Sequence, residues 1–306
     1  MAGSGSVSKY MIFSILNETD RLTNFFSLQV SAHLIQKVIF TDIDGTIVDI
    51  ETGGYGETPK LIRSLVRSGI PVILCSAKTL TEQIQVRKYI GLDDPFIVEN
   101  GGAIIIRRDY FDLSYIIDKY NVKVHGEDHI IELGKPAKQI RGILNDIRKK
   151  FKIDFKGVGD TSIEELSNIT KLSAEQAIGM ANREYGETIL QIKKQDLARF
   201  TRLCLKMGLN LIHGGRFFDV TMGNDKGKAV EILINLFKKK YDYDVTFFGI
   251  GDSENDASML ELVGHPILVQ RQDGSWSNIR GKEILRIPGI GPRGWALAYD
   301  IISGES

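Results

Sequence analysis

The sequence predicts an α/β protein with a parallel-sheet core and an inserted α/β domain. Three observations predict it. Short apolar runs at 38–41, 70–75, 96–98, 245–250 and 266–269 have the length of buried strands and end in turn residues. Helix-like segments separate the early runs, the spacing of βαβ units. Between the early and the late strands lies a long stretch of different texture, most simply a domain inserted into the sheet.

In chain order, 1–36 is a lead-in with no readable pattern, expected to bear on oligomeric state, a homodimer included. The run 38–41 opens the organised part. Thr58-Pro59 reads as a helix start, with threonine as N-cap and proline in the first turn. Leu61, Ile62, Leu65 and Val66 give that helix one apolar face. A helix over 79–90 stops at Gly91. The division expected is a first core part at 37–111, a cap at 112–221 and a second core part at 222–306. Inside the cap, helices are expected at 137–150, 162–168, 173–183 and 194–207, and strands at 129–133, 188–192, 209–212 and 216–221. Helix 226–240 ends in three lysines, where positive charge suits the helix dipole.

The 306 residues carry 39 Lys+Arg against 39 Asp+Glu, so no basic footprint points to nucleic acid or an anionic membrane. No apolar run reaches the roughly 18 residues of a membrane span. The two cysteines, Cys75 and Cys204, show neither metal-site nor disulfide spacing, and a cytoplasmic protein is expected.

Four pieces at successive strand ends carry the chemistry. They are Asp42-Ile43-Asp44-Gly45-Thr46, then Ser76, then Lys226 at the start of a helix, then Gly251-Asp252-Ser253-Glu254-Asn255-Asp256. Carboxylates clustered on tight backbone are best tolerated with a cation between them. In open parallel sheets the carboxyl ends of strands are where ligands bind. The set suits phosphoryl transfer. A divalent cation relieves the repulsion between a carboxylate nucleophile and a phosphate dianion. Asp42 is expected to attack phosphorus, and Asp44 to protonate the leaving oxygen and then to activate water. Ser76 and Lys226 would hold phosphoryl oxygens. Asp42, Asp252 and the backbone carbonyl of Asp44 would ligate the cation, with Asp256 and Asn255 near it; few oxygen ligands plus water suit magnesium.

These motifs resemble the haloacid dehalogenase-like superfamily over about residues 37–300. The resemblance implies a Rossmann-like core under a mixed α/β cap. Further runs narrow it: Ser76-Ala77-Lys78-Thr79, Glu99-Asn100-Gly101-Gly102, Arg183-Glu184-Tyr185, His213-Gly214-Gly215-Arg216, Val269-Gln270-Arg271-Gln272 and Gly291-Pro292-Arg293-Gly294-Trp295. Together they resemble the mannosyl-3-phosphoglycerate phosphatase family. That implies a phosphorylated glycosylglycerate as substrate and a glycosylglycerate, a compatible solute, as product.

On that resemblance the expected substrate contacts are Lys78, Asn100, Gly101, Gly102, Arg183, Gly214, Gly215 and Gln270. The glycines would offer bare N–H groups to an anion. Arg183 would pair with a glycerate carboxylate. Asn100 or Gln270 would bond hydroxyls or carboxylate. Phosphatases of other sugar phosphates (of the sucrose- or trehalose-phosphate type), and a non-catalytic phosphosugar-binding module, stand as alternatives; intact Asp42, Asp44, Lys226 and Asp252 weigh against the latter.

Overall fold

The computed structural model describes residues 36–114, 117–213, 216–241, 244–280 and 283–304. The lead-in before Gln36, and Gly214 and Gly215, lie outside the described residues.

The chain begins with β1 (Gln36–Thr41), α1 (Thr58–Arg67), β2 (Val72–Leu74) and α2 (Leu80–Ile90). Next come β3 (Phe96–Val98), β4 (Ala103–Arg107), β5 (Asn121–His125) and β6 (Asp128–Glu132). Then follow α3 (Ala137–Phe151), β7 (Phe155–Gly157), α4 (Ile163–Thr170), α5 (Ala174–Ala181), β8 (Gly186–Ile192), α6 (Lys194–Lys206), β9 (Asn210–His213) and β10 (Phe218–Thr221). The chain ends with α7 (Lys226–Lys240), β11 (Val245–Gly251), α8 (Ala257–Leu262), β12 (His265–Gln270), β13 (Leu285–Ile290) and α9 (Pro292–Ser303).

Five strands form a parallel sheet in the order β13-β12-β11-β1-β2. It is an α/β fold, as expected. Both faces are covered, which is why its strands read as continuous apolar runs. Alternate residues of β1 serve opposite faces. Val38 and Phe40 pack with Leu233 and Phe237 of α7. Ile39 packs on the other side with Ile62 of α1 and Trp295 of α9. Register sets Thr41 beside both Ile250 and Leu74, so the ends of β1, β2 and β11 come level.

Two local expectations are corrected. Thr58 is not the N-cap of α1 but its first residue; Glu57 precedes it. The Thr58 hydroxyl instead donates back to the carbonyls of Tyr55 (2.7 Å) and Ile47 (3.1 Å), which fixes the loop before the helix. The strand at 96–98 does not extend the parallel sheet. Ile97 bridges only to Cys75, and β3 then pairs antiparallel with β4 in a second sheet ordered β3-β4-β6-β5. The reversal is made by Glu99 and Asn100, both with left-handed backbone (φ 49° and 56°). The hairpin β5–β6 therefore pairs with β4 in that second sheet.

That third sheet, β7-β8-β10-β9, is antiparallel. Ile140, Leu144 and Ile147 of α3 lie at helical spacing and pack with Phe200 and Cys204 of α6 in one apolar cluster. α2 opens as expected: Thr79 and Glu82 form a capping box, and Gly91 (φ 85°) closes it.

Candidate active site

The end of β1 enters the site as a turn. Asp42 donates its N–H to the Ile250 carbonyl at 3.0 Å and is buried, while Ile43 anchors the turn in the core. Gly45 has φ 84°, and a Cβ there would stand 2.7 Å from Asp252 Oδ2. Only glycine lets this turn lie against the acidic loop after β11. Asp44 points outward: its side chain keeps 45% of its exposure, and the Lys78 ammonium lies 3.0 Å from Oδ2.

Lys226 opens α7, whose N-cap Asp225 accepts from the Gly227 N–H at 2.8 Å. Its side chain is sealed from solvent, and the ammonium donates to Asp42 Oδ1 (2.7 Å) and Asp256 Oδ1 (2.6 Å). The other Asp256 oxygen accepts the N–H groups of Asp252 (3.1 Å) and Ser253 (3.2 Å). Asp256 thus both holds Lys226 and folds the loop that presents Asp252. It also precedes α8, though its side chain makes no capping bond to that helix.

Carboxylate oxygens of Asp42, Asp252 and Asp256 all lie within 4.8 Å of one another. Burial raises the Asp42 carboxyl to about 7; Lys226 pulls the other way, and Asp256 and Asp44 add to the rise. Asp252 is pushed well above the carboxylate range by burial first, then by Asp256 and Asp42. Burial opposes the Lys226 charge, but Asp256 and Asp42 outweigh it and hold the ammonium protonated. Three carboxylates face one ammonium, a surplus that a divalent cation would neutralise. The donors are all hard oxygens, and such a set fits magnesium.

Ser76, just past β2, is buried; its hydroxyl accepts the Lys78 N–H at 3.2 Å and its carbonyl accepts the Asn100 N–H at 2.9 Å. The Asn100 side chain donates to Asp219 at 3.2 Å and accepts from Asn255 at 3.4 Å, linking β10 to the acidic loop. A cleft of about 500 Å³ opens beside Lys226, lined in part by Asn100, Asn210, Ile212, Asn224, Lys228 and Asn255.

Several expected substrate contacts are already taken by the protein. The N–H groups of Gly101 and Gly102 donate to the Val98 carbonyl (3.1 and 2.9 Å), so they are not bare. Gly101 is instead a contact glycine: with φ 88°, its Cβ would fall 2.2 Å from the Asp225 carbonyl oxygen. Arg183 is buried between Glu99 (3.9 Å) and Asp219 (3.8 Å), facing away from solvent. Gln270 ties the loop after β12 to β13, donating to the Gly274 carbonyl and accepting the Gly289 N–H, both at 2.6 Å.

Sequence reasoning missed Glu99, Asp219 and Tyr55. Glu99 accepts the N–H groups of Glu184 (2.8 Å) and Tyr185 (2.9 Å), tying β3 to the segment before β8. A glutamate in left-handed backbone is uncommon, but no feature of the sequence announces that conformation.

The chain matches the family model of haloacid dehalogenase-like hydrolases over residues 39–274. It is 38% identical over 274 residues to the glucosyl-3-phosphoglycerate/mannosyl-3-phosphoglycerate phosphatase of Methanococcoides burtonii, covering 89% of this chain and 99% of that one. It is 31% identical to the mannosyl-3-phosphoglycerate phosphatase of Pyrococcus furiosus over 76% of this chain and 90% of that one. Among solved structures, a Thermoplasma acidophilum protein superposes with a TM-score of 0.61 at 16% identity, covering 87% of this chain and 99% of that one. A Bacteroides thetaiotaomicron phosphatase of the same superfamily gives 0.59 at 16%, over 90% and 96%. The fold is of the α/β class, and the family match makes the protein a hydrolase. The chain belongs to the haloacid dehalogenase-like hydrolase family.

Proposed function

We propose that the protein is a magnesium-dependent phosphatase that hydrolyses mannosyl- or glucosyl-3-phosphoglycerate to the glycosylglycerate and phosphate. One observation carries the chemistry: buried Asp42 is held by Lys226 at 2.7 Å, while Asp44, two residues on, is half exposed. The substrate is carried by the names of relatives of which this chain spans 99% and 94%.

Asp42 attacks phosphorus as a carboxylate; the bond to the ester oxygen breaks, and Asp44 gives that oxygen its proton. Asp44 then takes a proton from the water that attacks phosphorus of the aspartyl phosphate, releasing phosphate and restoring Asp42. Ser76 and Lys226 hold phosphoryl oxygens, and Asp256 keeps Lys226 in place. Asp42, the Asp44 carbonyl and Asp252 would hold magnesium, which supplies the positive charge that lets two anions meet. The core parts 37–111 and 222–306 carry the chemistry, and the insertion at 112–221 acts as the cap that shields it from water. Within that insertion the β5–β6 hairpin stays with β4, so the moving part would begin near α3. No described helix is long and apolar enough to cross a membrane, and we place the enzyme in the cytoplasm.

The test is phosphate release from a panel of both glycosyl-3-phosphoglycerates, sucrose phosphate and trehalose phosphate, with magnesium and with chelator. The reading expects the glycosyl-3-phosphoglycerates to lead and chelator to abolish release. Preference for another sugar phosphate, or turnover undiminished by chelator, overturns it.

A further inference from the structure

The proposed substrate carries a carboxylate as well as a phosphate. It must enter a site already holding Asp42, Asp44, Asp252 and Asp256, so a cation has to receive it. The cations of the region are not equally free. Lys226 is sealed between Asp42 and Asp256. Arg183 is buried, with Glu99 and Asp219 at 3.9 and 3.8 Å and a bond to the Ala77 carbonyl at 3.3 Å. Lys228 lines the cleft, but two residues after Lys226 on a helix it lies about 200° around the axis, on another face.

Lys78 differs. Its side chain keeps 23% of its exposure, and its ammonium, with three protons to donate, has a half-exposed partner in Asp44 and a longer contact to Glu82 at 3.9 Å. Tyr55 stands on the loop that follows Asp44, held in shape by Asp49 N–H to Gly54 carbonyl and Gly53 N–H to Asp49 carbonyl bonds, both 2.9 Å. The Tyr55 ring packs on Tyr89 at 4.8 Å, and its hydroxyl has no hydrogen-bond partner among the described residues. Burial raises the Tyr55 phenol; the Lys78 charge lowers it and the Asp44 charge raises it.

We propose that Lys78 and Tyr55 form the subsite for the carboxylate of the leaving group, with Lys78 giving up Asp44 to take the substrate's carboxylate. The exchange trades one ion pair for another and leaves Asp44, once released, without its cation. It also frees Asp44 to face the ester oxygen only when the right leaving group is present. The Tyr55 hydroxyl donates to the same carboxylate and makes the subsite selective. This rests on the phosphoglycerate reading above.

The experiment compares kcat/KM on glucosyl-3-phosphoglycerate and on p-nitrophenyl phosphate, which has no carboxylate, for wild type, Lys78→Met, Lys78→Arg, Tyr55→Phe and Lys228→Met. It adds D-glycerate as a competitive inhibitor of p-nitrophenyl phosphate hydrolysis. Loss of a charged hydrogen bond predicts that Lys78→Met loses about 30-fold more on the carboxylate substrate than on the aryl phosphate, and that Tyr55→Phe shows a differential of about 5-fold. Lys78→Arg restores most of the preference, and glycerate inhibition disappears in Lys78→Met. Equal losses on both substrates, or a differential carried by Lys228→Met instead, overturn the subsite. If wild type hydrolyses no glycosyl-3-phosphoglycerate, the functional reading fails. The glycerate arm then still decides the subsite, because inhibition unchanged by Lys78→Met contradicts it.

Discussion

Asp42 sits where burial and a neighbouring ammonium compete, and burial wins: its carboxyl is raised to about 7. The folded, metal-free protein therefore holds a proton that the unfolded chain, with carboxyls near ~4, has released. The stability this brings is complete below that ordinary range and is lost as pH rises towards about 7. The melting temperature of chelator-treated wild type, relative to Asp42→Asn, should fall as pH goes from about 5 to about 8. Parallel curves would remove the claim. Asp256 predicts a different signature. It touches Lys226 and the loop N–H groups, so Asp256→Asn should weaken magnesium affinity by roughly 10- to 100-fold. An activity titration with magnesium reads this; an unchanged midpoint speaks against it. Asp42, Asp44 and Asp252 were legible in the sequence because they follow apolar runs whose strands end level in the parallel sheet, and Lys226 because it opens a strongly apolar helix. Arg183, Gln270 and Gly101 were not. Whether a polar group is free depends on partners such as Asp219, Gly274 and the Val98 carbonyl, which no spacing reveals.

The elements most legible were the periodic ones. α3, α6 and α7 lie within a residue or so of the expected bounds, because their apolar stripes repeat at helical spacing. β13 escaped notice: its stretch Leu285–Ile290 contains proline and glycine and is half exposed, features an edge strand tolerates and a central one does not. β4 and β5 were missed because their sheet is made by the left-handed turn at Glu99 and Asn100. Two substitutions test the packing directly. Leu144→Ala empties a fully covered position between α3 and α6 and should cost about 2–5 kcal/mol by urea denaturation. Gly101→Ala meets both a left-handed φ and the Asp225 backbone, and should destabilise by more than ~2 kcal/mol. A change below ~0.5 kcal/mol in either would show that the neighbourhood yields.

At the scale of the molecule, three carboxylates gathered around one ammonium make the core a receptor waiting for positive charge. Magnesium at about 100 times its dissociation constant should stabilise the protein by about 2.7 kcal/mol, visible as a rise in melting temperature that chelator reverses. The central claim is that Asp42 becomes covalently phosphorylated while Asp44 serves as acid and base. The most direct measurement mixes Asp44→Asn with p-nitrophenyl phosphate and magnesium, follows nitrophenolate and maps phosphate on acid-quenched peptides. Nitrophenol leaves without help from an acid, whereas hydrolysis of the acyl phosphate needs the base. The account predicts a burst of about one nitrophenolate per enzyme and phosphate on the peptide carrying Asp42. Steady release with no burst and no phosphate on that peptide would contradict it.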